Sequence, residues 1–186
     1  MFLIPISILS RESYCCIQYL ADQESVLLLT IARILTPEVI DQIRQINPCG
    51  ADSILRDCIL MLSIPFAVDL DEVSRVAIQQ SYTHFNFIET VSRQLKTPDS
   101  KLFEISLGFV TRSVLSNAIH MNQMESILPD LTSNINQAIS SSNPVISADS
   151  LALVNQYLLV GNINLAFKLL SNDDDQALIK ALKHAR

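Results

Sequence analysis

Three glycines in 186 residues is the feature that most limits this chain. Strand-rich folds need many tight turns. Several of those turn types require a backbone that only glycine adopts freely. A chain with so few glycines, and with apolar residues recurring near every 3.6 positions, reads as all-α. We expect a compact multi-helix domain of about eight or nine helices with a C-terminal helical hairpin.

The stretch Ser100–Met121 organises that expectation. Phe103, Leu107, Val110, Val114, Ala118 and Met121 form one stripe at spacings of three and four. Leu102, Ile105 and Phe109 lie on the other side. A helix that is apolar nearly all round is covered by neighbours on more than one side. Thr97 or Asp99 can cap it, with Pro98 in its first turn.

Upstream, Arg11–Leu20 and Gln23–Leu35 read as closely joined helices. Thr36-Pro37-Glu38 combines a cap, a proline and an acidic first turn, opening a helix to about Ile46. Ile46–Gly50 reads as a turn, Ala51-Asp52-Ser53 as the next start and Pro65 as its end. Asp69 and Asp71-Glu72 mark a helix that reaches toward Leu95, with a break near Tyr82–His84. Downstream, Pro129-Asp130 starts a short polar helix to about Ile139. Ser140–Pro144 reads as a linker. Residues 1–139 are then a helical core domain. Residues 147–186 are a hairpin plus terminal helix packed on that core, in one folding unit.

Composition narrows the partners. Net charge is −6 and no cluster of Lys or Arg exists, which argues against nucleic acid and anionic membranes. The charged fraction is 17%, against about 25% for an average soluble chain. That fits a surface partly covered by a partner, and equally a compact monomer with a Ser/Asn-rich surface. Met1–Ser10 is apolar, but it lacks a basic start and a cleavage site, and Pro5 interrupts it. It reads as an arm packed on the core. The uncharged runs Leu131–Ala148 and Ser150–Phe167 contain several Asn, Gln and Ser, so no membrane span is expected. Cys15, Cys16, Cys49 and Cys58 form no CxxC pair. Reduced thiols in the cytoplasm are the primary reading, a Cys49–Cys58 bridge the alternative.

No catalytic constellation emerges. Asp173-Asp174-Asp175 and Asp69/Asp71/Glu72 sit at expected helix starts, where caps need acids, and no metal site is expected. His84, His120 and His184 share no ligand spacing. No nucleophile elbow or phosphate-binding glycine loop can be built. No cofactor is expected. The aromatic stretch Ser81–Phe87 reads as core packing, with an interaction anchor as the alternative.

The most specific local pattern is Leu153, Tyr157, Gly161, Ala166 and Leu170. It resembles one tetratricopeptide-type hairpin over about twenty residues. The pattern departs at Asp173, no closing proline follows, and no second copy stands at the repeat period. The resemblance implies that Leu151, Asn155, Leu158 and Leu159 face a partner groove, while Tyr157 and Ala166 pack within the pair. In composition the chain also resembles the small acidic chaperones and adaptors of bacterial secretion systems. The leading functional reading is therefore a non-catalytic helical adaptor or chaperone subunit holding a helical or extended segment of a partner protein. An α-solenoid scaffold fragment and an enzyme with a dispersed polar site remain as alternatives.

Overall fold

A computed structural model describes residues 19–22, 25–67, 71–95, 100–116, 121–127, 131 and 134–159. Among the described residues the fold is all-α, with no strand. The chain divides into two compact units, Met1–Phe87 and Ile88–Arg186.

The first unit contains α1 (Val26–Ile34), α2 (Pro37–Ile46), α3 (Pro48–Ser63), a 3-10 turn (Ile64–Ala67) and α4 (Glu72–His84). Successive helices α1, α2 and α3 pack on one another in chain order. Asn47 both ends α2 and starts α3. Its backbone N–H donates to Ile43 O at 2.8 Å, while its side chain accepts from the Gly50 N–H at 3.0 Å. With Pro48 in the first turn, α3 opens at Pro48 and not at Ala51, so the expected turn at Ile46–Gly50 is largely helix. Asp71 caps α4 as expected, accepting from the Ser74 N–H at 2.8 Å. Thr36 does not cap α2 through its side chain; its hydroxyl donates back to Arg33 O at 2.8 Å.

The break expected near Tyr82–His84 falls just after it. Helix α4 ends at His84, and α5 (Phe87–Ser92) begins after Asn86, whose φ is 52°. Asn tolerates this left-handed conformation better than most residues. We expect Asn86→Val to lower stability by about 1–2 kcal/mol and Asn86→Gly to leave it nearly unchanged. Chemical denaturation of the two variants checks this. The turn brings Tyr82 and Phe87 edge to face at 5.5 Å, and Phe66 meets Tyr82 at 5.9 Å. Tyr82 and Phe87 are fully buried, and the Tyr82 hydroxyl donates to Leu62 O at 2.7 Å. Two of the aromatics in Ser81–Phe87 are thus core residues, while His84 is exposed.

The second unit is built on α6 (Lys101–Leu115), with α7 (Met121–Ser126), α8 (Ile135–Ile139) and α9 (Pro144–Leu159). Only Lys101 and Leu115 of α6 are exposed, as its all-round apolar pattern requires. Its cap is Ser100, which accepts from the Phe103 N–H at 3.0 Å; Thr97, Pro98 and Asp99 lie outside the described residues. The helix also ends early. Ser116 turns its hydroxyl back to Arg112 O at 2.8 Å, and a separate helix starts at Met121. Phe103, Leu107, Val110 and Val114 are buried, and so are Ile105 and Phe109.

Helix α9 packs on both α6 and α8. It begins at Pro144, where Asn143 Oδ1 accepts from the Val145 N–H at 3.0 Å. Within its first turn the Ser147 hydroxyl donates to Ile139 O at 2.8 Å. The Ser140–Pro144 segment therefore lies inside the second unit and ties α8 to α9. The division between compact units falls between Phe87 and Ile88, within α5.

Candidate functional site

The residues expected to face a groove lie along α9 and differ in exposure. Leu151 is buried, Asn155 is half-buried and Leu159 is 71% exposed. The Leu158 side chain lies outside the described residues. Helix α9 packs on both α6 and α8, and the residues it buries include Leu151, Leu153, Val154 and Tyr157. Tyr157 is fully buried, and its hydroxyl donates to Met124 O of α7 at 2.8 Å. Gly161, Ala166, Leu170 and Asp173–Asp175 lie outside the described residues.

A second feature was not legible as a site. Val26, Leu27 and Leu29 of α1 are 77%, 38% and 42% exposed, and Thr30 and Arg33 beside them are exposed too. At 100° per residue these five positions occupy one arc of the helix. Leu28 and Ile31 occupy the opposite arc and are fully covered. Every apolar residue of Val26–Ile34 reads as core in a sequence pattern. Only the packing among the described residues shows which side they leave exposed.

The third feature is a polar seam between α6 and α9. Lys101, Glu104, Gly108 and Arg112 recur at spacings of three and four along α6. Lys101 Nζ lies 2.6 Å from Glu104 Oε1, and Asn143 Nδ2 donates to Glu104 Oε2 at 3.0 Å. These contacts hold the Glu104 carboxyl below the usual range. One turn along, a methyl group on Gly108 would lie 2.9 Å from Arg112 Nη2 and 3.2 Å from Asp149 Oδ2. Both charged side chains thus border the space that a side chain at 108 would fill. Thr111 Oγ1 donates to the Asp149 carbonyl at 3.2 Å, fixing the backbone there. Burial pushes the Asp149 carboxyl above the usual aspartate range; Arg112 pulls it down and Glu104 pushes it up.

The remaining candidates take ordinary structural roles. Asp71 caps α4 and Glu72 pairs with Arg75, and both carboxyls are held low by those contacts. Among the described residues, no three His, Cys, Asp or Glu side chains come together as metal ligands would. The His84 ring meets Phe85 edge-on at 4.8 Å; His120 and His184 lie outside the described residues. Cys49 is an exposed free thiol and Cys58 a buried one, so the two are not bridged. Burial, helped by Asp57, pushes the Cys58 thiol up, which disfavours the reactive thiolate. Cys15 and Cys16 lie outside the described residues. The niche lined by Leu95, Phe103, Leu107, Leu131, Asn134 and Ile135 has no room for a water molecule. Among the described residues, no helix is long and apolar enough to cross a membrane.

No protein-family model matches this sequence, and no curated protein or solved structure matches it at a significant level.

Proposed function

We propose that this protein is a non-catalytic helical adaptor or chaperone subunit of a multiprotein complex, binding a helical or extended segment of a partner protein. The observation that carries this reading is the outer arc of α1. Three large aliphatic side chains stand exposed there within four residues, in a chain whose charged fraction is only 17%. An amphipathic partner helix, or an extended segment with alternating apolar residues, has the surface chemistry to cover such an arc. The acidic balance disfavours a nucleic-acid partner. The free thiols at Cys49 and Cys58 fit a reducing, cytoplasmic setting.

The test is affinity isolation of the full chain from its native cells, with bound proteins identified by mass spectrometry. Val26→Ser combined with Leu29→Ser should lose the partner that the wild type retains. Its thermal stability should fall little, because both side chains already meet solvent. A parallel Asn155→Ala/Leu159→Ala variant asks whether the exposed end of α9 contributes. Full retention of every partner by both variants, with folding intact, would overturn the reading.

A further inference from the structure

Helix α9 carries one charged residue in its sixteen, Asp149. A lone carboxylate on a helix packed on two sides needs a physical account. Gly108 supplies the room for it. Gly in a helix interior is less favourable than Ala by about 1 kcal/mol, yet here the bare backbone lets the carboxylate of one helix approach the next. Arg112 reaches the same spot from the following turn of α6.

We propose that Asp149, seated over Gly108, is a proton-operated latch that sets how firmly α9 is held on α6. Among the described residues, the charged groups around it are few. From α6 come Lys101, Glu104 and Arg112; Lys101 is engaged by Glu104. Helix α8, the other element packed on α9, carries no ionisable side chain in Ile135–Ile139. On α9 itself, the Tyr157 hydroxyl is held protonated by burial and bonds Met124 O. On α7, Glu125 is exposed. Among the described residues, Arg112 is therefore the positive charge whose field favours an ionised Asp149, opposed by burial and by Glu104.

The sign follows from burial. Asp149 binds its proton more tightly in the packed seam than in an opened chain. The stabilisation from this group is complete at acid pH. It is lost as pH rises from the ordinary aspartate value, about 3.9, through the higher value in the seam. Acidification seats α9 more firmly, and neutral pH loosens it. Glu104 works in the opposite direction, so the comparison must be made against a variant that changes Asp149 alone.

Carboxyl carbon NMR of the full chain reads Asp149 directly. Its midpoint should lie above that of a free aspartate, and higher still in Arg112→Gln, where the attraction is gone. Hydrogen exchange provides the second readout. After correction for intrinsic rates, protection of the α9 amides should rise on acidification by up to about tenfold per unit of midpoint displacement. Asp149→Asn should lack this component. A midpoint at or below the free value, a midpoint unmoved or lowered by Arg112→Gln, or an Asp149→Asn protection profile parallel to wild type overturns the latch. The NMR titration of wild type and Arg112→Gln decides the matter if Asp149→Asn does not fold.

Discussion

Phe109→Ala should destabilise this protein by about 3–5 kcal/mol, the range expected when a fully buried phenyl ring is deleted. Phe109 is 0% exposed at the centre of α6, and Leu107 and Val110 beside it are equally covered. With neighbours on several sides, the surrounding chain cannot collapse from one direction to fill the void. The lost transfer energy and the unfilled cavity therefore both count. Phe109→Leu keeps much of the volume and should lose less, about 1–2 kcal/mol. Denaturant titration of the full chain measures both. A loss below about 1 kcal/mol for Phe109→Ala would mean that α6 does not organise the core.

Tyr157→Ala should have a comparable effect, about 3–5 kcal/mol, for a different mixture of reasons. It removes a fully buried ring, and it strips the Met124 carbonyl of its 2.8 Å hydrogen-bond donor. Tyr157→Phe isolates the second part. It should lose about 1–3 kcal/mol, since the carbonyl stays buried without a partner. Two residues before Tyr157, and two after it, the outcome should differ. Asn155→Ala and Leu159→Ala are expected to change stability by less than about 1 kcal/mol each, because Asn155 is half-buried and Leu159 largely exposed. Thermal and denaturant unfolding of the four variants tests whether α9 divides into a buried side and a wet side at these positions. Equal losses at Tyr157 and Leu159 would contradict that division.

The local readings that succeeded were those where one short-range rule decides. Asp71 caps α4 because a carboxylate at a helix start satisfies an otherwise unpaired N–H. Helix α6 is central because its apolar residues circle the helix, so no orientation leaves a wet face. Where two local rules compete, the tertiary context selects between them. Asn47 and Pro48 outbid Ala51–Ser53 as the start of α3, since Asn47 could cap one helix while closing another. Ser116 ended α6 one turn after Arg112, although the apolar stripe continues toward Met121.

The candidate surface was less legible, for a reason that lies in packing. Leu151 and Leu159 are the same residue type in one helix, yet the first is buried and the second 71% exposed. Leu28 and Leu29 make the same point in α1. Gly108 looked like one of three scattered glycines. Its use appears only when α9 brings Asp149 to within 3.2 Å of the place its side chain would occupy. The sequence by itself determined the all-α class and the centrality of α6, because periodicity and turn chemistry act over a few residues. The tertiary structure decided which apolar side chains face water, where the compact units divide and which polar groups approach one another, because burial and hydrogen bonds between helices join residues distant along the chain.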